Sequence, residues 1–188
     1  MTANVAHISV PKVGERVNGD AVLVREEGSD LLLAVIDGLG HGPIAAEAAE
    51  AAVAVLAADS LDRPMLDTMK ALHDKLRGTR GVAATLCVIR GTKVESCAVG
   101  NVQLSSANAD IPLVLSSGVL GMRVPKYHVC SGSLRANARI ALFSDGISSR
   151  VALQDVRKLA PEAACRQIFE QFRKKEDDAT ILIADIEG

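Results

Sequence analysis

Aromatic side chains are almost missing from this chain of 188 residues, which has no Trp, one Tyr (Tyr127) and three Phe (Phe143, Phe169, Phe172). That scarcity argues against base-stacking platforms and aromatic ligand cages. A positive charge excess is missing too. Lys and Arg total 21 against 23 Asp and Glu, a formal net charge of -2, so no electrostatic pull favours nucleic acid or an anionic membrane as the main partner. No stretch reaches the roughly 18–20 apolar residues that a membrane span needs. The opening Met-Thr-Ala-Asn-Val-Ala-His lacks the basic-then-apolar plan of a signal peptide. Cysteines are few and scattered, at Cys87, Cys97, Cys130 and Cys165. Three fall in apolar or strand-like runs, which predicts reduced, buried thiols in a cytoplasmic protein and speaks against a disulfide framework or zinc cage.

What the chain does have is apolar mass: 48% hydrophobic against 23% charged residues, enough for a closed core over one domain, 1–188. Apolar runs over 21–26 and 31–36 flank Glu27-Gly28-Ser29-Asp30 and read as a hairpin. The second run, Leu-Leu-Leu-Ala-Val-Ile, is apolar at every position, as a strand covered on both faces must be. A glycine-rich turn and Pro43 then open an alanine-rich helix to about residue 58, with a second helix over 64–77. Strand-like runs follow over 82–90, 93–99, 102–106, 111–116, 126–130 and 139–143. A third helix over 161–173 precedes a last strand over 179–186. Strands and helices come in blocks instead of alternating, which predicts an α+β sandwich with largely antiparallel sheets.

The chemistry is concentrated in acids at strand ends. Asp20 precedes one arm of the first hairpin and Asp37 follows the other, so antiparallel pairing brings both to one rim. Asp145 follows the strand ending in Phe143, and Asp177-Asp178 precede the strand starting at Ala179; antiparallel pairing there gives a second acidic rim. Four or five converging carboxylates repel unless cations neutralise them, and hard oxygen ligands suit Mg²⁺ or Mn²⁺. Asp37-Gly38 and Asp145-Gly146 are also common turn dipeptides, but two of them together with Asp20 and Asp177-Asp178 favour the metal reading. Glycine at those places allows a sharp turn and close approach of a carbonyl or substrate.

Asn18-Gly19-Asp20, Asp37-Gly38-Leu39-Gly40-His41-Gly42, Ser144-Asp145-Gly146 and Asp177-Asp178-Ala179-Thr180 stand in the order seen in metal-dependent serine/threonine protein phosphatases of the 2C type (PPM). Among these the chain most resembles the bacterial SpoIIE-like branch, over nearly its whole length. That resemblance implies a four-layer α-β-β-α sandwich with two Mn²⁺ or Mg²⁺ ions at one edge of the paired sheets. It implies Asp37 bridging both ions, with the Gly38 carbonyl on one. Asp20 would lie on or beside the first ion, Asp145 and Asp177 on the other, and Asp178 close behind. Two such cations lower the pKa of a shared water, whose hydroxide attacks the phosphoserine or phosphothreonine phosphorus in line. Asp37 and Asp20 are thus the residues expected to carry catalysis.

The eukaryotic branch has a histidine directly after the Asp-Gly, where this chain has Leu39. His41 is therefore open to two readings, a direct catalytic role or packing of its loop. Arg16 is a candidate for the substrate phosphate or a solvated surface arginine. The branch implies phosphorylated STAS-domain proteins of a stressosome as substrates and a cytoplasmic setting. The oligomeric state stays open, with a monomer allowed. The rival reading is a phosphatase-fold module that binds phosphorylated partners without catalysis, which the presence of every expected carboxylate disfavours. Cys130 to Arg135 is not a cysteine-phosphatase loop, because only four residues intervene before the arginine.

Overall fold

The computed structural model describes residues 2–187. In chain order its elements are β1 (Thr2–Val10), β2 (Asp20–Glu27), β3 (Asp30–Gly38), α1 (Pro43–Ala58), α2 (Met65–Lys75), β4 (Val82–Arg90), β5 (Lys93–Val99), β6 (Gln103–Asp110), β7 (Leu115–Ser116), β8 (Val129–Phe143), α3 (Pro161–Phe172) and β9 (Ala179–Glu187). A short 3-10 turn, Leu153–Val156, precedes α3.

β3 shows why these elements layer. Side chains alternate between the faces of a strand, and here both sets are apolar. Leu32, Ala34 and Ile36 enter a core with Ala48, Ala49, Ala52 and Leu56 of α1 and Met69 and Leu72 of α2. Leu31, Leu33 and Val35 enter a second core with Ile140 and Leu142 of β8 and Leu182, Ala184 and Ile186 of β9. The small residues of α1 let that helix lie close to the sheet. β9 repeats the pattern: Ile181 and Ile183 face a third core built with Ala164, Cys165 and Ile168 of α3. Helices, sheet, sheet and helix therefore stack in four layers, the α-β-β-α sandwich.

The strands run β2-β3-β4-β5 in one sheet and β1-β9-β8 in the other, with β6 on β8. All pairings are antiparallel except the short β5·β7 contact. The two sheets are joined through β8. Its first residues pair with β5, Val129 opposite Cys97, and its last residues with β9, Phe143 opposite Ile181. The expected strands over 126–130 and 139–143 are thus the two ends of one bent strand of 15 residues. The bend coincides with a register shift in β6 and with left-handed backbone at Asn108 and Asn137. The expected strand over 111–116 is only the two-residue β7.

β1 was not expected. Its composition is mild, but Ala3 and Val5 pack on the core between the sheets while Ala6, Ile8 and Val10 pack beneath α3. Its partner β9 pairs with it along its whole length, which supplies what propensity does not.

Arg139 pins the far end of the second sheet. Its guanidinium donates to both Asp185 carboxylate oxygens and to the Val156 and Leu159 carbonyls, each at 2.6 Å, with 6% of the residue exposed. Arg139→Ala strands four acceptor oxygens, the Val156 carbonyl buried and the others partly so, and should cost about 3 kcal/mol or more in chemical denaturation. A loss under about 1 kcal/mol would show that the network is solvated.

Candidate active site

The hairpin register puts Asp20 directly opposite Asp37. In the other sheet, Asp145 lies just beyond the end of β8 and Asp177 just before the start of β9, two strands that pair antiparallel up to Phe143 and Ile181. The Ser144 N–H donates to the Thr180 carbonyl at 3.0 Å and continues that pairing to the rim. Both acidic rims thus face the same opening, a cleft of about 460 Å³ lined by Asp37, His41, Asn101, Asp145, Glu176 and Asp177, with glycines between them. Asp20 and Asp178 are buried, 7% and 3% exposed, and do not line it.

A web of hydrogen bonds fixes the acids from behind. The Ser144 hydroxyl donates to Asp20 Oδ2 at 2.7 Å and accepts the Thr180 N–H at 3.0 Å. Ser9 joins the Thr180 hydroxyl at 2.6 Å and accepts from Asn18 Nδ2 at 2.7 Å. Asp178 takes the N–H of Lys12 at 2.8 Å on one oxygen and that of Gly19 at 3.0 Å on the other. It therefore ties the loop before β2 to the start of β9. Asn101 Nδ2 donates to Asp145 Oδ2 at 2.6 Å. Asp20 Oδ1, by contrast, is buried with no partner among the described residues.

The two Asp-Gly glycines owe their place to packing and not to the turn freedom expected of them: neither has left-handed backbone. A Cβ on Gly38 would sit 2.1 Å from the Ala45 carbonyl oxygen, and one on Gly146 1.9 Å from that of Asp178. Only glycine lets these two loops close on their neighbours.

Of the residues singled out in the sequence, Asp20, Asp37, Gly38, Asp145, Asp177 and Asp178 come together. His41 lines the cleft with its Nδ1 2.9 Å from Glu15 Oε1, a clasp between the loop before α1 and the loop after β1. Arg16 is exposed and makes no ion pair or side-chain hydrogen bond among the described residues. Sequence reading gave no role to Ser144, Asn101 or Glu176; all three stand next to or across from a named acid, and only the fold shows their contacts. Cys130 lies in extended β8, so no phosphate-cradling loop surrounds it. Burial pushes the Cys87 and Cys165 thiols up to about 12, which leaves them inert near neutral pH.

Burial, joined by repulsion from Asp20, Asp145, Asp177 and Asp178, raises Asp37 from 3.8 to about 9. Burial raises Asp20 to about 7 even though the Ser144 hydroxyl pulls the other way. Asp177 is raised as well, by burial and then by Asp145. Among the described residues no three acidic, histidine or cysteine side chains close on one point as a finished metal cage. The donor set nevertheless fits a hard divalent cation: clustered carboxylate oxygens, an oxygen on Asp20 buried without a partner among the described residues, and acids driven toward neutrality by burial and by one another.

Comparison with known proteins agrees with this architecture. The sequence model of the stage II sporulation protein E (SpoIIE) family matches residues 27–187. The phosphoserine phosphatase RsbX of Bacillus subtilis strain 168 is 23% identical over 186 residues, covering 93% of this chain and 90% of that protein. A chain from structural work on the bacterial stressosome, described as a modular system adapted to control secondary messenger signaling, superposes with a TM-score of 0.91. It is 31% identical and covers 98% of this chain and 100% of its own. The catalytic domain of the serine/threonine phosphatase PstP in complex with two manganese ions has a TM-score of 0.72 at 19% identity, covering 99% of each chain.

The raised carboxylates make the cation-free protein pH-sensitive. Near pH 3 folded and unfolded chains both hold the protons and the acids cost nothing. Above 3.8 the unfolded chain loses protons that folded Asp20 and Asp37 still bind, so stability falls as pH rises, up to about 9 for Asp37. Asp37→Asn should therefore raise Tm in the presence of a chelator by about 4 °C at pH 8 and hardly at all at pH 4. A lowered Tm at pH 8 would contradict this electrostatic account.

Proposed function

The chain belongs to the SpoIIE family and is a phosphoprotein phosphatase of the 2C type, and we propose that it hydrolyses phosphoserine or phosphothreonine on STAS-domain proteins of a stressosome-type assembly, using two Mn²⁺ or Mg²⁺ ions. The observation that carries the reading is the meeting of Asp37, Asp145 and Asp177 from two sheets in one open cleft, with Asp20 buried beside Asp37 by strand register. In this reading Asp37 and the Gly38 carbonyl, with Asp20, Asp145 and Asp177, would hold the two ions, Asp20 serving the first and Asp145 and Asp177 the other. Bound there, the cations supply neutralisation of the phosphoryl oxygens and a water acidic enough to act as nucleophile near neutral pH.

The chain's own residues do the rest. Ser144 holds one oxygen of Asp20 and leaves the other free; Asn101 turns Asp145. Asp178 spends both oxygens on backbone N–H groups, so it anchors the loop before β2 while its charge adds to the repulsion on Asp20 and Asp37. Among the described residues no Ser, Thr or Cys lines the cleft, Ser144 is fully buried with its hydroxyl committed, and the buried Cys87 and Cys165 thiols stay protonated. Water therefore attacks phosphorus, its oxygen forming the new P–O bond as the P–O bond to the serine breaks, and one proton of that water goes to the departing serine oxygen while the other stays on the released phosphate. His41 sits at the cleft wall, clasped by Glu15, and serves the loop before it serves the leaving group. Arg16 is free to meet the substrate phosphate from the rim. The stressosome relative and the phosphoserine phosphatase RsbX support the substrate class, and buried unpaired cysteines fit the cytoplasm.

The test is phosphate release from a Ser-phosphorylated STAS-domain protein as Mn²⁺ is titrated. Release should rise with Mn²⁺ and fall about a hundredfold or more in Asp37→Asn. No release at any Mn²⁺ or Mg²⁺ level would leave a phosphate-sensing binding module as the better reading.

A further inference from the structure

The two walls of the cleft differ. One carries Asn101, Asp145, Glu176 and Asp177 and is acidic. The other is assembled from four separate segments that touch in sequence around the rim. Glu15, in the loop after β1, reaches His41 at 2.9 Å, joining that loop to the one before α1. The Leu39 N–H donates to the Gly81 carbonyl at 3.0 Å, joining the loop before α1 to the start of β4. The Arg80 guanidinium lies over Gly40, its Nη2 2.8 Å from where a Cβ would stand. Gly81 in turn is covered by Val119 and Met122 from the loop before β8.

This crescent exposes Val13, Val17, Leu39, Ile44 and Met122, five of the ten large hydrophobic side chains exposed among the described residues, from 37% to 60% each. An exposed apolar group of this kind, rimmed by charge, marks an interaction surface. The charges are mostly positive, with Glu47, one turn after Ile44 on the exposed side of α1, as the acid at the edge. Arg16, Arg80 and Arg123 are exposed and form no ion pair among the described residues, and the acid within the four segments, Glu15, is taken by His41. The surface thus pairs apolar contact with free guanidinium groups beside a site that receives a phosphate monoester.

We propose that this crescent is the docking surface for the folded phosphoprotein substrate, which meets it with apolar side chains and acidic groups next to the phosphorylated residue. The inference rests on the phosphatase reading and adds where specificity lies: on the cationic wall, outside the acidic centre. Apolar contacts exclude water from the contact, while guanidinium groups set orientation and rate of encounter. Arg80 is the best placed of them, because its planar head lies against backbone that forms the cleft wall.

The test compares the wild type with Ile44→Asp, Met122→Asp and Arg80→Glu on two substrates in Mn²⁺: a Ser-phosphorylated STAS-domain protein and p-nitrophenyl phosphate. Leu66→Asp, on an exposed hydrophobic residue away from the crescent, is the control. The crescent variants should raise KM for the phosphoprotein about tenfold, with p-nitrophenyl phosphate kinetics and Tm unchanged and the control unaffected. Equal losses on both substrates, or unchanged KM for the phosphoprotein, would overturn the docking surface. If the wild type hydrolyses neither substrate, the phosphatase reading fails, and docking is decided by calorimetry. Binding of the phosphoprotein to the wild type but not to the crescent variants then upholds it, and equal binding refutes it.

Discussion

Everything at the functional end of this molecule answers to one repulsion. Strand register sets Asp20 opposite Asp37, and the pairing of β8 with β9 brings Asp145 and Asp177 to the same opening. In a partly buried place where the Lys174 ammonium goes to the Asp145 carbonyl and not to a carboxylate, such side chains lose more by ionising together than they gain. Folding alone would not select this arrangement, because it makes the cation-free protein less stable at neutral pH. Its presence is a stability cost at a site, and in the proposed reading divalent cations would turn it into a gain.

The fold then reads as the means of holding that arrangement still. The sandwich supplies two stiff hairpin-like ends, and β8, bent between the sheets, keeps them in one frame. Behind the acids, the hydroxyls of Ser9, Ser144 and Thr180 and the carboxylate of Asp178 tie β1, β2, β8 and β9 together. Their bonds satisfy buried polar groups at the point where a slack structure would let the acids spread apart. Ser144 is central to this, because it holds one Asp20 oxygen while the other remains unpartnered.

Much of this was legible in the sequence because it rests on local rules. The hairpin over residues 21–36 follows from a turn between apolar runs, and its register places Asp20 and Asp37 without further information. The doubly apolar run of β3 announces a strand covered on both faces. What escaped depended on contacts distant in sequence. β1 is a strand because β9 offers it a full edge, and its own residues hardly declare it. β8 reads as two strands because its middle, Arg135 to Ala138, is polar and bends between sheets. The glycines after Asp37 and Asp145 look like turn residues, and their true reason, a carbonyl oxygen about 2 Å from the missing Cβ, is visible only in the packed structure. Asp178 shows the same limit: spacing puts it beside the site, but only its bonds to Lys12 and Gly19 reveal what it holds.

The measurement that bears most directly on the central claim is calorimetric titration of the protein with Mn²⁺ at pH 7, repeated in buffers of different ionisation enthalpy. If the raised carboxylates are a cation site, Mn²⁺ binds two to the chain and displaces protons held by Asp37 and Asp20, so the apparent heat changes with the buffer. Absence of binding, or binding with no proton release, would contradict the account.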